Sequence, residues 1–262
     1  MKPNEIHAKR TLVEASGMVP AFAQAVPLPP LDCSITAGTI TCLIGPLGIA
    51  KESYLRTLAC VEPPVAGTVR LLDQPSYLEP ERWRELRQHA VFIMRDAPLL
   101  SNYDGFLNVV IPSLYHHLAD EEHTEQQARQ LIAESGIERD VHVLPAYLGE
   151  YERRCLAIIR GLMLDPELVF IDDTFRQLEH EEIREMGAYL TRLARDRGLA
   201  VIASTFDLRL AREQADLIIF LAAEGVSTYQ GWDELIASDR QEVRDFLHIA
   251  ADLKPATNQG TG

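Results

Sequence analysis

A short apolar run that leads into a glycine-bearing loop constrains this chain most strongly. Residues 39–44 are apolar and rich in β-branched side chains, residues 45–53 contain two glycines, and a helix is predicted from Lys51 to about Cys60. A phosphate-binding turn requires this order of strand, loop and helix. The sequence therefore predicts an α/β protein, and we call residues 45–53 the phosphate loop.

The phosphate loop departs from the usual pattern at two positions. In G-x-x-x-x-G-K-[ST], glycines bring backbone N–H groups to phosphates, the lysine neutralises them, and the hydroxyl holds Mg²⁺. Ala50 stands where the second motif glycine belongs, and Glu52 stands where the hydroxyl belongs. We interpret the segment as a former or modified phosphate loop, whose candidate nucleotide-binding positions are Gly45, Gly48, Ala50, Lys51, Glu52 and Ser53.

Glu52 has the strongest electrostatic consequence. A carboxylate about 4 Å from a phosphate oxygen costs roughly 4 kcal/mol at an effective dielectric near 20, which is about a thousandfold in affinity. Either Glu52 ligates Mg²⁺, or it is protonated, or it replaces the phosphate at the helix N-terminus and pairs with Lys51 or Arg56. On these residues alone, an ordinary β-loop-α turn that never bound phosphate stays equally open.

Further apolar runs alternate with helical patterns along the chain. Strands are predicted near residues 6–13 (an edge strand), 67–72, 90–94, 168–171, 200–204 and 217–220, and helices at 79–87, 124–135 and 180–197. Strands that are buried on both faces and alternate with helices predict a mainly parallel sheet. Residues 104–164 are mostly helical and are interpreted as an insertion, in which Thr124 and Gln127 predict a capping box.

Composition excludes several classes of function. Lys plus Arg total 25 against 39 Asp plus Glu, a net charge of −14, so no nucleic-acid partner is expected. No apolar run approaches the ~18 residues that span a bilayer, and the N-terminus lacks the apolar segment of a secretory signal. Four well-separated cysteines predict reduced thiols of a cytosolic protein. If the protein acts at a membrane, we therefore expect a partner protein to hold it there.

Residues 148–173 resemble a segment of a known family. They read LGEYERRCLAIIRGLMLDPELVFIDD, which resembles the signature-to-Walker-B segment of ATP-binding cassette (ABC) ATPases, where the family has LSGGQ, RVAIARAL and a DPELLLLDEP-like stretch. The resemblance covers residues 31–247 in the family's order and spacing. It implies a P-loop NTPase-like cassette with a mainly parallel sheet core, an antiparallel β edge and an inserted helical subdomain.

The resemblance also implies a division of the chain and a subfamily. Residues 1–94 and 166–247 would form a RecA-like α/β core with an N-terminal β region, residues 95–165 a helical signature subdomain, and residues 248–262 a disordered tail. Within the family, the chain looks most like the ATPase subunit of Mla/MCE-type lipid transporters. The local likenesses are at residues 45–49, 108–112 and 237–247.

The resemblance assigns a signature that has changed. Its positions are Leu148, Gly149, Glu150, Tyr151 and Glu152, where the family has Leu-Ser-Gly-Gly-Gln and binds the γ-phosphate of ATP held by the opposite subunit. Glu150 and Tyr151 would add charge and bulk where bare backbone must approach a polyphosphate. Phe22 is the ring nearest to the place of the family's adenine-stacking aromatic.

The catalytic positions implied by the resemblance have changed as well. Asp172 keeps the place of the Mg²⁺ contact, but Asp173 replaces the catalytic glutamate and is shorter by one methylene, about 1.5 Å less reach toward a water. Phe206 occupies the switch-histidine position and cannot hydrogen-bond a γ-phosphate. Arg95 aligns with the Q-loop glutamine. Binding of ATP and Mg²⁺ is expected to be weak, and neither is expected to be needed for folding.

Together these replacements predict a cassette that keeps its fold and hydrolyses ATP weakly or not at all. The resemblance implies a cytoplasmic subunit held at the inner membrane by an integral permease, paired with a second cassette as a homo- or heterodimer, with MCE proteins and small accessory subunits as further candidates. The permease would dock near residues 95–117, where Tyr103 and Phe106 either face it or pack the subdomain's own core.

Two other functions stay open. In an active ABC ATPase, Glu52 would ligate Mg²⁺ and Asp173 would act as the base. In a soluble regulatory or scaffolding cassette, no permease would be needed.

Overall fold

The structure is a computed structural model that describes residues 10–21, 28–75, 80–137, 141–176 and 178–252. Its strands are β1 (Thr11–Pro20), β2 (Leu31–Thr36), β3 (Ile40–Ile44), β4 (Pro64–Leu71), β5 (Gln74–Pro75), β6 (Ala90–Ile93), β7 (Leu168–Asp172), β8 (Ala200–Ser204), β9 (Leu217–Ala222) and β10 (Gly225–Tyr229). Its α-helices are α1 (Lys51–Leu58), α2 (Pro80–His89), α3 (Gly105–His116), α4 (Glu121–Ser135), α5 (Glu150–Leu162), α6 (His180–Arg197), α7 (Leu208–Gln214), α8 (Gly231–Ile236) and α9 (Gln241–Asp252).

The larger sheet has the strand order β10-β9-β3-β8-β7-β6, and only its edge strand β10 runs antiparallel. Every residue of β3, β7 and β8 is buried, as expected for strands covered on both faces. Alternate residues belong to different hydrophobic clusters, because side chains alternate between the faces of a strand. One cluster contains Val169 and Val201, and the other contains Phe170 and Ile202.

A smaller antiparallel sheet has the order β2-β1-β4-β5 and packs near α1, which contacts β1 and β4. The predicted edge strand at residues 6–13 is wrong in two respects. The described strand begins at Thr11 and continues to Pro20, and it lies between β2 and β4 rather than at an edge. Residues 1–9 lie outside the described part of the chain.

Three helices, α3, α4 and α5, pack against one another next to the larger sheet. Helix α4 begins earlier than predicted because Asp120 caps it, its side chain accepting a hydrogen bond from the backbone N–H of His123 at 2.9 Å. The predicted capping box at Thr124 is therefore wrong. Thr124 is buried, and its Oγ1 lies 3.1 Å from Oγ of Ser113.

The C-terminal part of the described chain is helical. Helix α9 includes the first residues of the predicted tail, and residues 253–262 lie outside the described segments. Among the helices of the described segments, none combines the length and the apolar character that crossing a membrane would need.

The phosphate loop leaves β3 through a close backbone contact. A Cβ at Gly45, where φ is +155°, would lie 2.2 Å from the carbonyl oxygen of Leu221 in β9. Only glycine fits without moving β9. This contact directs the loop across the carboxyl edge of the sheet, where ligands bind in open α/β folds.

Candidate nucleotide-binding site

The candidate site is a cavity of 160 Å³ at the carboxyl ends of the central strands. Its lining includes these predicted positions: Ala50, Lys51, Glu52, Ser53, Arg95 and Phe206. Residues 95 and 206 follow β6 and β8, so the topology of the sheet brings them to the phosphate loop from far along the chain. Phe22 lies outside the described residues, and its adenine contact stays a prediction.

Lys51 is held inside the site by its own chain. Its Nζ donates hydrogen bonds to the carbonyl oxygens of Gly45 at 2.9 Å and Pro46 at 3.2 Å. It also lies 3.6 Å from the ring centroid of Phe206, a cation–π contact. The lysine is only 3% exposed, and burial lowers its pKa to about 8, with Asp173 opposing the shift and Arg95 adding to it. A phosphate would have to compete with two carbonyls and a ring.

Arg95 pairs with three carboxylates from two segments of the chain. Its Nη2 lies 3.3 Å from Glu52 Oε2 and 3.6 Å from Asp172 Oδ1, and its Nε lies 3.8 Å from Asp173 Oδ2. One of the three possibilities for Glu52, pairing with Lys51 or Arg56, is not what the described residues show, since Glu52 pairs with Arg95. Arg56 instead pairs with Glu62, at 2.5 Å between Nε and Oε1, because Glu62 follows the end of α1 and lies beside the last turn.

The arrangement does not fit Mg²⁺. Carboxylate oxygens are suitable ligands, but all three here lie within 3.8 Å of an Arg95 nitrogen. A divalent ion 4 Å from that guanidinium would meet about 8 kcal/mol of repulsion at an effective dielectric near 20, which cancels the attraction of one carboxylate at the same distance. Across the described segments, no group of three or more His, Cys, Asp or Glu side chains is arranged to hold a metal ion. Asp172, the predicted metal contact, instead accepts a hydrogen bond from Ser204 Oγ at 2.8 Å.

Asp173, the predicted base, is 2% exposed and does not line the cavity. Its backbone has φ +43°, in the left-handed region, and Oδ2 makes no hydrogen bond within the described residues. Burial is the main cause that raises the pKa of this carboxyl, with Asp172 adding to it and Arg95 opposing it. The carboxylate therefore faces Arg95 rather than a water in the cavity.

We expect Asp173→Asn to stabilise the fold at pH 7 by about 1 kcal/mol. Because the folded-state pKa of Asp173 lies above its usual value, the folded protein holds this proton more tightly than the unfolded chain does. Stability is therefore lost as pH rises through that pKa, and the neutral amide avoids the loss. Urea unfolding between pH 4 and pH 7.5 should show a gain that shrinks toward the acid end.

Asp165→Asn is the matched control for this prediction. Asp165 also has a left-handed backbone, with φ +49°, but its side chain is exposed. The same substitution should leave unfolding there unchanged at every pH. An Asp173→Asn protein that is no more stable than wild type at pH 7 would contradict the prediction.

The signature lies at the N-terminus of α5, with Gly149 as N-cap, and its acids cover this end. Glu150 pairs with Arg153 and, at 2.5 Å between Oε1 and Nη2, with Arg154. The Glu152 carboxylate folds back so far that a Cβ at Gly149 would lie 2.1 Å from its Oε2. Backbone N–H groups at a helix start are the usual anion site. Here the chain supplies its own anions.

Tyr151 differs from its prediction. The residue is 9% exposed and belongs to the same hydrophobic cluster as Leu148 and Cys155. Its ring therefore packs inward and adds no bulk to the exposed end of α5. The negative charge of Glu150 and Glu152 is what changes this surface.

Sequence reasoning missed Arg154, which connects the signature to the cavity. Its side chain is 6% exposed, Nη1 donates to the carbonyl oxygen of Arg95 at 2.8 Å, and Nη2 pairs with Glu150. An arginine on the apolar face of α5, next to buried Cys155, is the signal that could have revealed it.

The two aromatics of the expected docking region have different environments. Phe106 is buried, and its ring centroid lies 5.0 Å from that of His142. Tyr103 is 46% exposed, and Leu100, Leu107 and Tyr115 nearby are exposed as well. Phe106 therefore packs the subdomain's own core, and Tyr103 is available at the surface.

Comparison with known proteins identifies related sequences. Residues 28–176 match the family model described as ABC transporter. The L-cystine transport system ATP-binding protein TcyN of Escherichia coli (strain K12) is 26% identical over 243 residues, which cover 90% of this chain and 96% of TcyN. The macrolide export ATP-binding/permease protein MacB of Salmonella typhimurium is 30% identical over 198 residues, which cover 75% of this chain and 30% of MacB.

Solved structures share the fold. The ATP-binding cassette MJ0796, in a dimeric post-hydrolysis state bound to ADP and Pi, has a TM-score of 0.75 at 20% identity, over 84% of this chain and 98% of that one. The structure of cbiO1 from Clostridium perfringens has a TM-score of 0.77 at 16% identity, over 90% and 94%. The predicted fold class, an α/β cassette with parallel and antiparallel strands, is confirmed.

Proposed function

The chain belongs to the ABC transporter family, and from that membership we propose that it is the cassette subunit of a membrane transport system and hydrolyses ATP weakly or not at all. The observation that carries the proposal is the position of Asp173. A general base must lie within hydrogen-bond reach of its water, whereas this carboxylate is buried and paired with Arg95.

The other groups at the cavity support the same function. Phe206 offers an apolar ring where a donor would have to stabilise charge on a γ-phosphate, and the ring covers Lys51. Lys51 in turn donates its hydrogen bonds to the phosphate loop itself. The site therefore supplies no base within reach of a substrate water, and its lysine is already hydrogen-bonded to the loop.

The signature supports loss of activity in a dimer as well. Cassettes of the family pair head to tail, so that each nucleotide lies between one phosphate loop and the opposite signature. In a homodimer of this chain, both sites would combine Glu52 with Glu150 and Glu152. With a competent partner cassette, each of the two sites would still contain one changed half.

Attachment to a permease is the second part of the proposal. Tyr103, Leu100 and Tyr115 are exposed apolar side chains in the region where the family's permease docks. Exposed apolar side chains in this region support a protein interaction surface there. The subunit would thus sit at the cytoplasmic face of the inner membrane through its partner.

The identity of the transported molecule is the most specific part of the proposal. The relatives named above are described as L-cystine transport and macrolide export proteins, whereas the three local likenesses in the sequence favour an MCE-type lipid transporter. We keep lipid transport as the proposed system, with MCE and accessory subunits as proposed partners. It rests on residues 45–49, 108–112 and 237–247 alone.

ATP turnover by the purified full-length chain tests the proposal. With Mg²⁺-ATP, we expect phosphate release by the wild type to equal that of Lys51→Ala, because neither protein has a base that reaches the substrate water. Phosphate release is measured by a coupled phosphate assay, with and without membranes from the native host.

Wild-type turnover that disappears in Lys51→Ala would contradict the proposal and favour an active ATPase. Fractionation of host cells distinguishes a permease-bound subunit from a soluble regulatory or scaffolding cassette. A chain that sediments with membranes and is released by detergent supports a permease partner, and a chain that stays in the soluble fraction favours a regulatory or scaffolding cassette.

A further inference from the structure

We infer that Arg95 takes the place of a divalent cation in this site, so that phosphate groups are bound here without metal. The inference deepens the proposed function and rests on it only for the identity of the ligand as a nucleotide.

Three carboxylates surround the guanidinium. Glu52 comes from the first turn of α1, Asp172 ends β7, and Asp173 follows it. All three lie within 3.8 Å of a guanidinium nitrogen. Asp172 and Asp173 are buried, and buried carboxylates require a cationic partner. Arg95 supplies that charge from within the chain.

The segment that carries Arg95 is anchored on both sides. The Arg95 carbonyl oxygen accepts a hydrogen bond from buried Arg154 at 2.8 Å, and the carbonyl oxygen of Met94 accepts one from the backbone N–H of Ala97 at 2.8 Å. Thr174 Oγ1, beside the two aspartates, also lies 3.5 Å from the Met94 carbonyl oxygen. These contacts fix the backbone from which the Arg95 side chain extends, and the guanidinium itself is positioned by its three carboxylate partners.

Arg95 also faces the ligand space. Its side chain is about two-fifths exposed and lines the cavity with Lys51. Of the three carboxylates only Glu52 also lines the cavity, while Asp172 and Asp173 are buried. Together with Lys51, the three carboxylates carry a formal charge of −1 with Arg95 and −2 without it. The wild-type cluster should therefore attract a divalent cation only weakly, whereas a cluster that lacks the guanidinium should attract one more strongly.

The ligand class follows from these donors. A guanidinium binds phosphate oxygens through a fork of N–H groups, and an ammonium acts as a compact charge. A nucleoside triphosphate that enters without metal would meet both. When metal accompanies the phosphates, its charge would be repelled by Arg95, so Mg²⁺ should not tighten binding.

A titration with Mn²⁺ tests the exclusion of metal directly and needs no nucleotide. We expect the full-length wild type to leave the electron paramagnetic resonance signal of free Mn²⁺ unchanged. Arg95→Gln should bind Mn²⁺ and reduce that signal, because Glu52 is half-exposed and can turn toward Asp172 once the guanidinium is gone. Arg129→Gln is the matched control, since Arg129 pairs with Glu125 on the exposed face of α4.

Arg95→Lys keeps the experiment decisive if Arg95→Gln does not fold. The lysine retains one positive charge, so Mn²⁺ should still be excluded, while the loss of the guanidinium fork should weaken ATP binding about tenfold. Calorimetric titration of ATP measures this in EDTA and in millimolar Mg²⁺. For the wild type, the two dissociation constants should agree within about twofold.

Three results would overturn the inference. They are uptake of Mn²⁺ by the wild type, ATP binding that Mg²⁺ tightens about tenfold or more, and absence of ATP binding under both conditions. None of these results depends on turnover. Failure of the proposed function instead appears as hydrolysis that Lys51→Ala abolishes, so the two failures are distinguishable.

Discussion

Replacing Asn108 with alanine is expected to lower the free energy of unfolding by about 3 kcal/mol. Asn108 is fully buried, and its side chain orders the loop before α3. Oδ1 accepts from the backbone N–H of Leu100 at 2.6 Å, and Nδ2 donates to the carbonyl oxygens of Leu100, Tyr103 and Asp104 at 3.0, 3.1 and 2.9 Å. Truncation removes the side-chain partner of the Leu100 N–H and of the Tyr103 carbonyl oxygen, which costs more than the loss of a solvated hydrogen bond. The carbonyl oxygens of Leu100 and Asp104 keep backbone N–H partners, those of Tyr103 at 3.2 Å and Asn108 at 3.0 Å.

The same loop presents Leu100 and Tyr103 to solvent, so Asn108→Ala should also release the chain from membranes if that surface docks a permease. Urea unfolding and membrane fractionation measure the two effects. Asn102→Ala, in the same loop but exposed, should change neither. A stable Asn108→Ala protein would show that the loop is ordered by other contacts.

Replacing Lys51 with methionine is expected to change the pH dependence of stability by on the order of 2 kcal/mol. Burial lowers the pKa of Lys51 to about 8, below its value in the unfolded chain. Below pH 8 both states are protonated and the buried charge costs stability in full. Between about pH 8 and the unfolded-state pKa, the unfolded chain binds more protons, so the stability of the wild type rises with pH.

Lys51→Met has no such titration. It should therefore gain most relative to the wild type near pH 7, and the gain should shrink by pH 9.5 in urea unfolding. Arg56→Met, one turn along α1 and paired with Glu62, is the control, because arginine stays charged throughout this range. Its effect should be independent of pH. Parallel pH profiles for the wild type and Lys51→Met would contradict the prediction.

Elements with local signals were predicted well from the sequence. Helix α6 spans the predicted residues 180–197, and β7 contains the predicted run 168–171 with Asp172 added. Both depend on periodicity and apolar runs within a few residues, and both are buried where the pattern says they should be. The strand, loop and helix around Gly45 follow for the same reason.

Features that depend on distant residues were not predictable in the same way. Glu52 meets Arg95, which is 43 positions away, because β3 and β6 run parallel and end at the same edge of the larger sheet, and helix-surface rules consider only partners three or four residues apart. The inward orientation of Tyr151 depends on which face of α5 meets the core. Helix α4 begins at Glu121 because Asp120 caps it, so the capping pattern at Thr124 lies inside the helix.

The crowding of Gly45 against Leu221 changes what a motif search can conclude about chains of this kind. Any side chain at residue 45 would have to displace a strand of the larger sheet, whether or not a nucleotide ever enters. That glycine would persist through selection on folding alone, long after selection on chemistry had relaxed. The presence of Gly45 therefore indicates that the fold is kept. Loop residues that contact no strand are more informative about whether the activity is kept or lost.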